Sequence, residues 1–207
     1  MVEKEEAKLM DIDYAEWEKE YDSEHEYIKQ AEADEIKLQK ALAMARIAHE
    51  GQTRDDGSPY FNHIEGVIRI LKEEFKCSGT TLIIAALHDV IEDSAITEEE
   101  IKKAFGRVVS EGVRVLTKEK GMTVKEYFTN IDNFEFDSFA WIVKIADRIY
   151  NVRDLKTIVE SNPAKVKKYI EETEKYYIPK SKLFQRMCKE TLEEAVMEVK
   201  NILRNNN

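Results

Sequence analysis

Residues 82–94 read Leu82-Ile83-Ile84-Ala85-Ala86-Leu87-His88-Asp89-Val90-Ile91-Glu92-Asp93-Ser94. An apolar run enters a His-Asp pair and then resumes with Val90 and Ile91, which is the pattern of a buried helix. Titratable groups seldom enter so apolar a segment unless they are paired or ligating. On a continuous helix residues four apart share a face, so His88 is expected to stack over Glu92 and Asp89 over Asp93.

Moving outward, two further segments supply groups of the same kind. His63 stands upstream, and Asp147 lies downstream within residues 144–151, KIADRIYN. Imidazole nitrogens and hard carboxylates from three helical segments, His63, His88, Asp89 and Asp147, make a mixed nitrogen and oxygen set suited to a divalent metal that activates water. A buried polar network is the alternative reading. Asp147 shares a helix face with Asn151 and lies one turn from Lys144, which puts an amide and a cation where a phosphorylated substrate would need them.

The rest of the chain is punctuated as a series of helices. A helix from about Glu24 to Glu50 carries Leu38, Ala41, Leu42, Ala45 and Ala48 at helical spacing, and Gly51 stops it. The loop 52–60, turned by Gly57 and Pro59, leads into a helix near Asn62 that presents His63. Thr97 with Glu100, and Thr123 with Glu126, read as capping boxes, and Gly106 ends the first of these helices. A long helix from about Ser138 to Glu160 buries Trp141, Ile142, Ile145 and Ile149, and Asn162 caps the next with Pro163 at its first position. Leu183, Met187, Leu192, Val196, Val199 and Leu203 suggest a closing helix, with residues 205–207 frayed.

Composition agrees with an all-α protein. Of 207 residues, 36% are charged and only seven are Gly and three Pro, which leaves little room for hairpins. The formal charge of −10 disfavours nucleic acid as a partner, so a polyanionic ligand must be captured locally, by the metal, Arg54, Lys144 and either a ligand-facing or a structural Arg148. No apolar run reaches the length of a membrane span and the N-terminus has no apolar signal core, so a cytoplasmic protein is expected. Cys77 and Cys188 have neither CxxC spacing nor an adjacent histidine, which argues against a disulfide framework and a thiol nucleophile. Residues 1–23 are acidic with interspersed aromatics and read as an arm or appended helix, leaving 24–207 as the main domain.

Several stretches taken together carry a family resemblance. Residues 48–71 (AHEGQTRDDGSPYFNHIEGVIRIL), 85–106 (AALHDVIEDSAITEEEIKKAFG), 115–121 (VLTKEKG), 143–155 (VKIADRIYNVRDL) and 171–179 (EETEKYYIP) resemble, in order, the HD-domain hydrolase half of RelA/SpoT-type alarmone enzymes. The resemblance implies an HD-domain helical bundle with a metal site at its centre, of the stand-alone small alarmone hydrolase type. It implies removal of pyrophosphate from the ribose 3′ position of (p)ppGpp, a guanosine-3′,5′-bis(diphosphate) 3′-pyrophosphohydrolase activity, with Mn²⁺ as the usual ion. The ligands would be His63, His88, Asp89 and Asp147. Glu92 and Asp93 would position and deprotonate the attacking water, Arg54 would lie against the guanine, and Asn151 would bond the ribose or the 3′-phosphates. Tyr177 would border the nucleotide, and Lys118 and Lys120 either look like the mobile loop that reaches substrate phosphates or are a solvent-exposed pair between helices.

Three positions depart from the family pattern. Asp55 follows Arg54 where many relatives carry a second basic residue, which reverses the charge at the lip of the nucleotide pocket. Ile64 replaces a common proline, and Asp154 stands where long relatives often have threonine. The departure at Asp55 keeps open a phosphohydrolase for another nucleotide, such as NADPH or an adenosine alarmone. A non-catalytic helical binding module is the third reading, and the complete ligand and carboxylate set argues against it. Oligomeric state is left open.

Overall fold

The computed structural model describes residues 14–182 and 186–205. Of the expected acidic arm, residues 1–13 lie outside the described residues, as do Leu183 of the closing helix and the terminal residues 206–207. Helices follow one another as α1 (Tyr14–Ala48), α2 (Phe61–Arg69), α3 (Thr80–Leu87), α4 (Val90–Asp93), α5 (Glu98–Phe105), α6 (Arg107–Leu116) and α7 (Val124–Asp132). Then come α8 (Asp137–Asp154), α9 (Pro163–Glu172), α10 (Ile178–Ser181) and α11 (Arg186–Asn205). No strand occurs among the described residues, where pairing outside helices is limited to an isolated bridge between Thr53 and Pro59. No described helix is long and apolar enough to cross a membrane.

The chain divides after Ile36 into two compact units, the second being Lys37–Asn207. In that second unit α8 is the central column. Its Trp141, Val143, Ile145, Ala146, Ile149 and Val152 are buried, and α2, α3, α6 and α11 pack around it. Helix α3 is buried all round, as its unbroken apolar sequence requires. Two glycines make the close approaches possible. A β-carbon on Gly66 of α2 would overlap the Tyr150 ring of α8, and one on Gly112 of α6 would come within 2.7 Å of Ile84 Cδ1 on α3.

The capping signals act as their chemistry dictates. Thr97 Oγ1 accepts from Glu100 N at 3.3 Å while Glu100 Oε2 accepts from Thr97 N at 2.8 Å, and Thr123 with Glu126 repeats the exchange. Asn162 Oδ1 accepts from Lys165 N with Pro163 at the first position of α9. Three local departures from the sequence reading matter for the site. The apolar helix breaks at His88–Asp89, between α3 and α4, where His88 Nδ1 reaches Ala85 O at 2.8 Å and competes for the carbonyl that a continuing helix would use. The long helix ends at Asp154, and a 3₁₀ turn, Leu155–Ile158, tightens its exit. Two π-turns, Ile70–Glu74 and Thr173–Tyr177, shift the faces of the segments that follow them.

Candidate metal centre and adjoining pocket

The break at His88–Asp89 turns both side chains toward His63 at the start of α2 and Asp147 on α8. His88 Nε2 lies 2.9 Å from Asp89 Oδ2 and 3.3 Å from His63 Nε2. His63 Nε2 is 3.5 Å from Asp89 Oδ2 and 3.4 Å from Asp147 Oδ1, which is itself 3.9 Å from His88 Nε2. His63, His88 and Asp89 form a mutually close triad, and Asp147 closes on it from the histidine side. Donors held about 2.0–2.2 Å from a common ion stand about 3–3.5 Å apart, so these spacings fit a divalent cation.

Hydrogen bonding argues the same way. A carbonyl oxygen only accepts, so His88 Nδ1 must donate to Ala85 O, and neutral His88 then presents a lone pair at Nε2. That lone pair faces a second ring nitrogen and a carboxylate oxygen, an arrangement that repels unless a positive charge sits among them. In the absence of metal a proton serves. Burial pulls the His88 imidazole down, but Asp89 and then Asp147 outweigh it and bring it up to about 9. Burial keeps His63 neutral, below its ordinary range. Burial also opposes the charge on Asp89 and on Asp147, yet His88 holds Asp89 well below the usual carboxylate range and Lys144, followed by the histidines, lowers Asp147. A divalent ion would displace the shared proton and satisfy the same lone pairs.

The ligand carboxylates are held in place by outer partners. Lys144 Nζ donates to Asp147 Oδ2 at 2.9 Å, and Asn151 Nδ2 donates to Asp147 Oδ1 at 2.5 Å. Asn151 Oδ1 in turn accepts from Arg54 Nη2 at 2.9 Å, and the same nitrogen donates to Asp154 Oδ2 at 2.7 Å. Tyr60, which sequence reasoning passed over, donates to Asp89 Oδ2 at 2.6 Å. Its ring stacks on buried His49, 4.6 Å between centroids. His49 Nδ1 bonds Gln52 Oε1 at 2.8 Å, and Gln52 Nε2 donates to Asp93 O at 2.8 Å. One buried ring therefore links the support of Asp89 to the backbone of Asp93. The available signal was the position of Tyr60, one helical turn before His63.

Glu92 and Asp93 are both exposed, and neither lines the cavity beside the metal cluster. Glu92 Oε2 accepts from the backbone N–H of Lys118 at 3.1 Å. Loss of water around Asp93, followed by the charge of Asp89, pushes its carboxyl up, which makes it a better proton acceptor. Lys118 and Lys120 are exposed and line no part of the cavity beside the metal cluster.

That cavity, about 270 Å³, is lined by Arg54, Asp55, Tyr60, Asn151, Asp154, Lys165 and Tyr169 among others. The sequence reading places Tyr177 at the nucleotide, but the structure buries it against Phe128, with ring centroids 5.2 Å apart, and gives the pocket Tyr169 instead. Arg148 lies between the two tyrosines, 3.7 Å from the Tyr169 centroid and 3.9 Å from that of Tyr177. It also donates to Thr173 Oγ1 at 2.9 Å and to Glu172 Oε1 at 2.6 Å, so of its two readings the structural one holds. Both thiols are free, and burial pushes the Cys77 thiol up and that of Cys188 to about 11, so neither is a ready nucleophile.

Comparison with known proteins places this geometry in context. The model of the HD domain family matches residues 41–179. The bifunctional (p)ppGpp synthase/hydrolase SpoT of Escherichia coli is 39% identical over 157 residues, covering 70% of this chain and 22% of that protein. The guanosine-3′,5′-bis(diphosphate) 3′-pyrophosphohydrolase of Vibrio cholerae is 38% identical over 152 residues, 69% of this chain and 21% of that one. The chain thus spans about a fifth of the length of these curated relatives. A solved structure of a metazoan ortholog of SpoT that hydrolyses ppGpp superposes with a TM-score of 0.66 at 26% identity, covering 78% of this chain and 94% of that one.

Proposed function

This chain belongs to the HD-domain family, and on that premise we propose that it is a metal-dependent hydrolase that removes the 3′-pyrophosphate of (p)ppGpp, giving GDP or GTP and pyrophosphate. The observation that carries the reading is the convergence of His63, His88, Asp89 and Asp147 beside a cavity lined by Arg54, Asn151 and Tyr169. The relatives named for this activity support it. Mn²⁺ is the ion we assign, on the resemblance to alarmone hydrolases; the imidazole and carboxylate donors suit a divalent metal without selecting among them. We place the activity in the cytoplasm and assign the catalytic unit to residues 24–207, with 1–23 as an acidic arm.

The reaction hydrolyses the bond between the ribose O3′ and its phosphorus. A bound divalent ion would supply charge neutralisation at the phosphoryl oxygens and acidify a water. His63, His88, Asp89 and Asp147 would hold that ion, with Tyr60, Asn151 and Lys144 fixing the carboxylate rotamers. Glu92 and Asp93 orient the attacking water and take its proton, while the leaving O3′ receives one from solvent. Asn151 bonds the ribose or the 3′-phosphates. Arg54 and Tyr169 offer a guanidinium and an aromatic ring to the base, whereas Lys118 and Lys120, exposed and outside the cavity lining, are given no contact with the ligand.

The test is product analysis by ion-exchange chromatography after metal-stripped protein meets ppGpp with and without Mn²⁺. Stoichiometric GDP and pyrophosphate only with metal is the expected result. Intact ppGpp in both arms refutes the assignment and transfers it to NADPH, an adenosine alarmone or a binding role.

A further inference from the structure

Asp55 departs from the family pattern by placing a carboxylate at the lip of the cavity, and the structure provides it with a partner. Lys165 Nζ, 110 residues away on the first turns of α9, reaches Asp55 Oδ2 at 2.5 Å, and both residues line the cavity. The lip therefore does not lack a cation; the cation comes from a different element. A second pair lies deeper, where Arg54 Nη2 meets Asp154 Oδ2 at 2.7 Å. The two pairs differ in how firmly each is held. Arg54 is largely buried, shares its nitrogen with Asn151 and lies near the rings of Tyr60 and Tyr150. The Asp55–Lys165 pair is exposed, with side chains 65% and 50% accessible, and an exposed ion pair contributes little net stability. A ligand anion can exchange with Asp55 at Lys165 far more readily than with Asp154 at Arg54.

We propose that Lys165 is a specificity-determining residue that recognises a second phosphoryl group of the ligand, distal to the one at the metal cluster, with Asp55 as a resident stand-in for that group. The inference rests on the nucleotide-hydrolase reading above. The metal cluster and the cavity are joined by Tyr60, which bonds Asp89, and by Asn151, which bonds Asp147 and Arg54. A nucleotide whose 3′-phosphates sit on the metal must extend along that joint. Lys165, at the lip and tied through an exposed, exchangeable pair, is a lining cation free to turn to its 5′-phosphates. A nucleoside without them leaves Lys165 on Asp55 and gains nothing from it.

The experiment compares wild type, Lys165→Met and Asp55→Asn in two readouts. Calorimetric binding of GDP, GMP and guanosine reads phosphate recognition without turnover, and steady-state hydrolysis of ppGpp reads it in the reaction. Wild type is expected to prefer GDP over guanosine. Lys165→Met loses about tenfold in GDP affinity and raises KM for ppGpp by a similar factor, the worth of one hydrogen bond to a charged group, with guanosine affinity and kcat held. Asp55→Asn moves GDP affinity the opposite way by about threefold, since a competitor for Lys165 is gone. Equal affinity of wild type for GDP and guanosine, or an unchanged preference in Lys165→Met, overturns the inference. Should wild type leave ppGpp intact, the hydrolase reading fails by itself, and the GDP and guanosine comparison still decides Lys165.

Discussion

Replacing Tyr60 by Phe removes one oxygen atom and leaves the ring stacked on His49. That oxygen donates to Asp89 Oδ2 at 2.6 Å, and among the described residues no other hydroxyl donates to Asp89. Burial, and next the Asp89 charge, push the Tyr60 hydroxyl far above its ordinary range, so it is a neutral donor at every working pH. A hydrogen bond to a charged group contributes about 1.5–3 kcal/mol, equivalent to about 10- to 150-fold in an equilibrium constant. Outer partners of metal ligands, when removed, typically cost about 10–100-fold in metal affinity, which agrees. Tyr60→Phe is therefore expected to bind Mn²⁺ about 10–100-fold more weakly than wild type while keeping its helical circular dichroism. Titration against a chromophoric chelator at fixed pH measures the difference. A variant whose affinity stays within about threefold of wild type refutes the assignment of Tyr60 as the support of Asp89, because the stacked ring alone would then suffice.

Other substitutions test separate parts of the argument. Glu92→Gln should retain Mn²⁺ in the same titration yet lose turnover by about 10²-fold or more, the share of a general base; full activity removes Glu92 from the mechanism. Gly66→Ala forces a methyl into the Tyr150 ring and should cost about 1–3 kcal/mol in urea unfolding, so an unchanged midpoint would show that the α2–α8 contact gives way freely. Arg148→Met strips Thr173 and Glu172 of a donor and frees Tyr169, and it should raise KM for ppGpp with metal affinity unchanged. An unaltered KM would separate Tyr169 from ligand binding.

Local rules carried the sequence reading where the deciding interactions are themselves local. Capping boxes at Thr97 and Thr123 and the Asn162–Pro163 start are settled within one turn, and the structure shows each of them. The His-Asp pair inside 82–91 was legible because apolar burial and titratable side chains conflict, and the structure brings His63, His88, Asp89 and Asp147 together. The break at His88–Asp89 was not legible, since it depends on an imidazole taking a carbonyl from the helix ladder. Tyr60, His49 and Lys165 escaped because their partners are distant in sequence or set by loop 52–60. Tyr177 was placed at the nucleotide by its match within EKYYIP, whereas its burial against Phe128 is a tertiary contact that no local pattern displays.

The guanidinium of Arg148 fills the space between Tyr169 and Tyr177, and this settles when the pocket pays for order. Folding already fixes the Tyr169 ring, so the loss of rotamer freedom falls on the unfolded-to-folded transition and not on ligand capture. One face of that ring is also taken. Under the proposed nucleotide reading a base would stack on the other, extending a column that runs from core tyrosine through arginine to pocket tyrosine. On the nucleotide reading proposed above, the heterocycle would be the fourth layer of a stack whose first three were laid down before it arrived.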